Sequence, residues 1–236
     1  MVRKASSGDF ATLFISLTEG ERLALVDHPN ELKRFSQRLI MRSARSAFFV
    51  PLLDDEVTKE LTIILTSWRK LARYLSYFGP IVWKVRAGFT LLKHASRAGP
   101  CYQDFKYLVN GRAPRDEPTA DSYVFWIPRL VYESRNKSPE EQLLILSELR
   151  QKFYLPENHL TSLGSVALIA GLILAHLKFF GDRVPLGREW VCTDTPNHNG
   201  GRFSLGDFDG ELYCEDLEMP KAKNLGCFPL GVEARG

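Results

Sequence analysis

The chain has 236 residues, of which 44% are hydrophobic and 25% are charged, and its formal net charge is +3. This composition is typical of a folded protein and excludes a largely disordered chain, while the length allows one large domain or two small ones. The 4 cysteines are too few and too irregularly spaced for a disulfide scaffold, which excludes the small disulfide-rich secreted class.

The charges are unevenly distributed along the chain. Residues 33–97 contain 13 Lys/Arg against 4 acidic residues, whereas residues 186–236 contain 9 acidic residues against 5 basic ones. This asymmetry is compatible with an anionic partner for the first half, with the two halves packing on each other, or with ordinary solvated helix faces. We favour the solvated faces.

Two apolar stretches bear on the location of the protein. The first, residues 10–17, is at the short limit for a signal peptide and precedes no small-x-small cleavage site, so we expect a cytoplasmic protein. The second is the longest apolar run, residues 163–180. Its uninterrupted part, 166–175, is half of the roughly 20 residues that a bilayer span needs, and we therefore expect a buried helix and no membrane span.

The first half of the chain reads as helical. After residue 30 a helix is predicted with Leu32, Phe35 and Leu39 on one face, and residues 55–78 form the clearest amphipathic helix. Gly79-Pro80 then predicts the start of another helix, running to about residue 97, and the short turn between the two predicts an αα-hairpin.

Between residue 97 and the tail the chain is mixed. Residues 110–122 predict a polar loop, and the aromatic stretch 123–132 is compatible with either helix or strand. A capping box at Ser138 and Glu141 predicts a helix that Pro156 closes, and the apolar helix follows, capped by Gly181. From residue 188 the chain alternates in short, glycine-punctuated segments. We therefore predict an α+β fold, with a helical domain over 1–158 and a small α+β module with a glycine-rich β-hairpin over 159–236.

Basic residues on the predicted helices suggest the binding of nucleic acid or of an acidic partner. A stripe of arginines lies along the first helix, and further cations face away from the core side of the second. Such cations are able to grip phosphates, but the nearby Trp68 and Trp83 occupy core positions instead of acting as base-stacking platforms. Nucleic-acid or acidic-partner binding is therefore an alternative that we do not favour. Its residues are Arg34, Arg38, Arg42, Arg45, Arg69, Lys70 and Arg73.

The acidic residues clustered in the tail suggest a metal-binding site as one hypothesis. Counting Asp207 as position 1, acidic residues fall at positions 1, 3, 5, 9 and 12 of a calcium loop, but Leu212 occupies the position that requires glycine. The tail cysteines and His198 also lack the short spacing that pre-forms half a zinc site. A nucleophilic use of Cys192 with His176 or His198 has no local signature. We predict no metal and no cofactor, and a turn between two strands at Asp207.

The tail resembles a known fold family. A tryptophan followed by Thr-x-Thr, a polar loop, a strand running into Phe-Asp-Gly, and a terminal hydrophobic strand are similar to the end of C-type-lectin-fold modules. The related proteins are formylglycine-generating enzymes and the variable proteins of diversity-generating retroelements. The resemblance implies a binding sheet built from residues 190–194, 202–213 and 226–232 on a supporting helix, 165–180. The tail also resembles uncharacterised proteins of ultra-small candidate-phylum bacteria.

The predicted function is non-enzymatic binding of a protein or small ligand by the β-rich module. Polar loop groups on a rigid sheet are typical ligand contacts, although each is also a common solvated turn residue. A third alternative is an enzyme with a site between the two domains, for which a deep pocket holding His176 or His198 beside a carboxylate is required. The candidate contact residues are Asp194, Asn197, His198, Asn199, Arg202, Asp207, Asp209, Glu215 and Asp216.

Overall fold

The computed structural model describes residues 47–52, 58–109, 116–181, 183–184, 186–197, 200–217 and 224–235. Its helices are α1 (Lys59–Tyr74), α2 (Leu91–Ala98), α3 (Pro139–Phe153) and α4 (Val166–Phe180), with short 3₁₀ segments at Tyr102–Val109 and Tyr132–Ser134. Its strands are β1 (Phe49–Pro51), β2 (Ile81–Val85), β3 (Ser122–Trp126), β4 (Trp190–Pro196), β5 (Arg202–Phe208), β6 (Glu211–Leu217), β7 (Leu225–Gly226) and β8 (Leu230–Ala234). The predicted α+β class is confirmed.

Helix α1 forms within the range that its apolar periodicity predicts, and α3 forms where its capping box predicts it. The side chain of Thr58 accepts a hydrogen bond from the amide of Leu61 at 3.3 Å, which starts α1. In α3 the hydroxyl of Ser138 accepts from the amide of Glu141, and the carboxylate of Glu141 accepts from the amide of Ser138. This reciprocal capping box satisfies amides that the helix itself leaves unpaired.

The helix predicted over residues 81–97 is wrong, and so is the αα-hairpin that depended on it. Residues 81–85 form strand β2, and only Leu91–Ala98 is helical. Ile81, Val82 and Val85 are β-branched and fit a pleated surface better than a helix. Gly88, at φ +96°, then turns the chain in a conformation that a helix does not contain.

The strands form two four-stranded sheets. The first has the order β1-β2-β3-β8 and is antiparallel throughout, and the second has the order β6-β5-β4-β7, in which only the β4–β7 pair is parallel. Strand β8 pairs with β3 along its whole length, from Ser122 opposite Ala234 to Trp126 opposite Leu230. The first sheet therefore draws its strands from both sides of the boundary predicted near residue 158.

Helix α4 occupies the centre of the molecule, and the prediction of a buried helix is confirmed. Ser165 caps its first turn, Gly181 ends it at φ +75°, and residues on all sides of it are buried. It contacts β1 of the first sheet and β4 and β5 of the second, so one apolar core joins both sheets. Within the described ranges, every helix is too short or too polar to cross a bilayer.

A second core lies on the opposite side of the first sheet, where α1 and α3 pack. Its centre is Trp68, which stacks on Phe125 with ring centroids 5.8 Å apart and donates its indole N–H to Nδ1 of His159 at 2.9 Å. Because Nδ1 accepts, the neutral imidazole carries its proton on Nε2. That nitrogen lies 2.8 Å from Oε1 of Glu233, close but poorly aligned for a hydrogen bond. Glu233 on β8 is thereby linked to α1 through a fully buried histidine.

We expect this histidine to make stability fall as the pH drops below neutral. Burial lowers the pKa of His159 from its ordinary value of 6.5, and the opposing effect of Glu233 does not cancel it. Below pH 6.5 this histidine is therefore protonated in the unfolded chain but stays neutral in the folded protein. The free energy of unfolding then decreases by up to about 1.4 kcal/mol per pH unit. Urea unfolding at about pH 7.5 and about pH 5.5 measures this loss, which lies in the range where histidine titrates. If the free energy of unfolding of His159→Gln falls with pH as steeply as that of the wild type, other groups cause the loss.

Candidate functional site: the outer face of the second sheet

The predicted contact residue Asp194 holds the loop before α4 in place. Its Oδ2 accepts a hydrogen bond from the amide of Gly164 at 3.0 Å, and its own amide donates to the carbonyl of Gly164 at 2.8 Å. The neighbouring Thr195 hydroxyl accepts from the amide of Val166 at 2.9 Å. These bonds anchor the start of the central helix on β4, which gives Asp194 a structural task within the chain.

The loop between β4 and β5 uses its polar side chains for its own closure. Oδ1 of Asn197 accepts from the amide of Gly201 at 2.6 Å, and the amide of Asn197 donates to the Gly201 carbonyl at 3.0 Å. Arg202 donates from Nη1 to the carbonyl of Asp194 at 2.5 Å. The other two predicted contacts in this loop, His198 and Asn199, lie outside the described residues.

Asp207 and Asp209 form the tight turn between β5 and β6 that the sequence predicts. Asp209 and Gly210 both have positive φ angles, +48° and +83°, as a two-residue hairpin of this hand requires. Oδ1 of Asp207 accepts from the Gly210 amide at 2.9 Å, and its Oδ2 lies 3.9 Å from Nη1 of Arg183. Among the described residues, no group of three or more His, Cys, Asp or Glu side chains is placed to hold a metal ion.

The four cysteines are free and buried. Burial raises the pKa of Cys101, Cys192 and Cys227 to about 12, and it raises the pKa of Cys214 further. Thiols in such surroundings stay protonated, and the thiol is a much weaker nucleophile than the thiolate. Their environment therefore offers no support for a nucleophilic cysteine.

The outer face of the second sheet, opposite α4, carries a cluster of aromatic rings. On strands β4, β5 and β6 it presents Trp190, Phe208 and Tyr213, and the 3₁₀ segment beside β6 adds Tyr102 and Tyr107. Tyr213 is central: its ring centroid lies 5.2 Å from that of Tyr107, 5.3 Å from Tyr102 and 5.6 Å from Trp190. Phe208 is 49% exposed, and the other four rings are half-buried. We call these five residues the aromatic face.

A glycine in β5 makes room for the largest of these rings. Gly206 is paired with Tyr213 in the register of the sheet, and a Cβ atom at Gly206 would lie only 2.8 Å from Cε3 of Trp190. The indole therefore rests directly on the backbone of β5. This contact brings its ring edge beside Tyr213.

The edge of β6 is closed by the segment that supplies the two tyrosines. The Tyr107 hydroxyl donates to the carbonyl of Cys214 at 3.0 Å and accepts from the Cys214 amide at 3.1 Å, and the amide of Leu212 donates to the carbonyl of Pro100 at 3.0 Å. Backbone groups of an edge strand normally invite pairing with another chain. Here these groups are already hydrogen-bonded, so this part of the edge is not open to pairing with another strand.

Two glutamates lie on the same side of β6 as the central tyrosine. Side chains alternate along a strand, so Glu211 and Glu215 project with Tyr213, while Asp216 projects to the other side. Burial, and then the nearby Asp216, raise the pKa of Glu215. Neither glutamate has a cationic partner among the described residues. A cation brought to this face would therefore offset the cost of burying the Glu215 carboxylate.

Only part of the predicted basic patch falls in the described chain. Arg69, Lys70 and Arg73 are exposed along the outer side of α1, as predicted. Arg34, Arg38, Arg42 and Arg45 lie outside the described residues. Of the histidines considered for catalysis, His176 is buried with its ring against Trp126 and Phe180.

Sequence reasoning selected polar loop residues and missed the aromatic face. The signal available was the alternation Glu211-x-Tyr213-x-Glu215 in a predicted strand, with Phe208 and Trp190 on the neighbouring strands. Tyr102 and Tyr107 offered no such signal, because they are distant in sequence and reach the sheet only through the fold. No family model, curated protein or solved structure matches the chain.

Proposed function

We propose that this chain is a non-enzymatic binding protein, and that the aromatic face with Glu211 and Glu215 binds a peptide segment rich in lysine and arginine. The observation that carries the proposal is the position of Tyr213, which lies next to the other four rings of the aromatic face and stands between two acidic side chains of the same strand face. Half-buried rings, and carboxylates without a cationic partner among the described residues, lie in one place and offer both kinds of attraction that a cationic side chain uses.

The energetics favour a cationic partner over a purely apolar one. A lysine or arginine over a tyrosine or tryptophan ring gains about 0.5–2 kcal/mol, depending on how far it is desolvated. Arginine stacks on such rings and pairs with carboxylates at the same time. The partly buried Glu215 increases the gain, because its charge is already penalised in the free protein. The excess of acids over residues 186–236 adds longer-range attraction for a basic segment.

The test measures the binding of a fluorescently labelled arginine-rich peptide by fluorescence anisotropy. We expect saturable binding that weakens with salt, and a Kd about tenfold higher in the double variant Glu211→Gln, Glu215→Gln. Tyr213→Leu is expected to weaken binding as well, since it keeps an apolar side chain but removes the ring that attracts the cation. A peptide in which glutamate replaces arginine should not bind.

Glu148→Gln is the matched control, because Glu148 is an exposed acid on α3, away from the aromatic face. It removes one negative charge from the protein and should leave the Kd unchanged. Equal affinity of the wild type and the Glu211/Glu215 double variant would contradict the proposal, as would binding that Tyr213→Leu does not affect.

A further inference from the structure

A cavity of about 290 Å³ lies on the far side of α4 from the second core, between β1, α2 and the C-terminal half of α4. Its walls are largely aromatic. Phe48 lies 5.6 Å from Phe89 between ring centroids, Phe49 lies 5.1 Å from Phe89, and Phe179 completes the apolar lining. The cavity is partly open to solvent, and its volume is large enough for a small organic molecule.

The described lining of this cavity carries positive charge and no negative charge. Arg97, Lys178 and His94 are its polar residues, and no acidic residue belongs to its described lining. Arg97 and Lys178 stand in the last turns of α2 and α4. The C-terminal ends of helices favour positive charge. Arg97 is exposed and Lys178 is half-buried, so both cations remain in contact with solvent beside the apolar walls.

His94 adds a hydrogen-bond donor to the lining. The backbone N–H of Thr90 donates to Nδ1 of His94 at 3.0 Å, and a backbone N–H can only donate a hydrogen bond. Nδ1 must therefore accept, which places the imidazole proton on Nε2. The ring is held against Phe48 and Phe89, with centroid distances of 4.8 and 5.8 Å. Its donor is thus fixed in orientation beside the apolar walls.

We infer that this cavity binds a small amphiphile with one anionic head, carboxylate or phosphate, and an apolar tail. Apolar walls with a few convergent polar groups are the usual composition of a small-ligand site, and this cavity is near the lower end of their size range. The tail lies among the phenylalanines, and the head pairs with Arg97 and Lys178 and accepts from His94. This site is separate from the aromatic face and does not depend on its function.

Isothermal titration calorimetry with probes of matched length tests the inference. Nonanoate and octyl phosphate share an octyl tail and differ in the head, so their relative affinities identify the head group that the site prefers. Octanol removes the charge, octylamine reverses it, and acetate removes the tail. We expect saturable one-to-one binding of at least one anionic probe, with the three comparison compounds at least about tenfold weaker. No saturable binding of either anion, or equal binding of octanol, would overturn the inference.

Variants of the lining locate the bound probe. Arg97→Gln with Lys178→Gln should raise the Kd at least about tenfold, since both charged contacts to the head group are lost. Lys93→Gln is the control, because it removes a cation of the same helix that does not line the cavity. Ala98→Leu should block the cavity while keeping a good helix former, and thermal unfolding checks that it folds. Unchanged affinity in both lining variants would place the probe elsewhere and overturn the assignment.

Discussion

Replacing Trp68 by alanine is expected to lower the free energy of unfolding by about 3–5 kcal/mol. The indole is fully buried at the centre of the second core, so its removal leaves a cavity that the surrounding side chains can fill only in part. It also removes the hydrogen bond to Nδ1 of His159, which leaves a buried acceptor without its partner. Urea or guanidinium unfolding, followed by circular dichroism, measures the change.

A second substitution at the same position separates packing from hydrogen bonding. Trp68→Phe keeps an aromatic ring beside Phe125 but has no donor for His159, and an unsatisfied buried group costs about 1–3 kcal/mol. It also remains measurable if Trp68→Ala does not fold. Ile63→Ala on the same helix is the control, because Ile63 is 74% exposed and should change stability by less than about 0.5 kcal/mol. A loss for Trp68→Ala no greater than for Ile63→Ala would contradict the role assigned to the second core.

Local chemistry was enough to predict α1, α3 and α4. Thr58, Ser138 and Ser165 each cap a helix through their own side chain, and those bonds join residues three apart in sequence. The error at residues 81–85 has the opposite origin. Apolar residues four apart suggested a helix, but Ile81, Val82 and Val85 pair with β1 and β3, which are distant in sequence. A periodicity rule cannot weigh those partners.

The same distinction explains the candidate site. Asp194, Asn197 and Asp207 were selected because polar turn residues often contact ligands, yet each accepts a hydrogen bond from a backbone amide of its own fold. Short polar side chains in turns commonly serve the backbone in this way. The aromatic face depends instead on the packing of Tyr102 and Tyr107 beside β6. That contact is tertiary, and the local sequence around either tyrosine does not predict it.

Gly171 is the position where a single added methyl group should do most damage to the central core. A Cβ atom there would overlap Cζ and Cε2 of Phe49, whose ring is buried and packed edge-on against Phe89. Alanine is the better helix former by about 1 kcal/mol, but forcing β1 off α4 costs about 1–3 kcal/mol or more. We therefore expect Gly171→Ala to be destabilising in denaturant unfolding. Gly79→Ala, where a Cβ meets nothing within 4 Å, should be neutral or slightly stabilising.

A double-mutant cycle identifies the cause of this loss. The clash involves the far atoms of the Phe49 ring, which Phe49→Leu removes. Phe49→Leu alone loses buried apolar contacts, but combined with Gly171→Ala it makes room for the new methyl group. The double variant should therefore be more stable than the sum of the two single losses predicts, by at least about 0.5–1 kcal/mol. Strict additivity would mean that Gly171→Ala acts through the backbone of α4 and not through the contact between β1 and the helix.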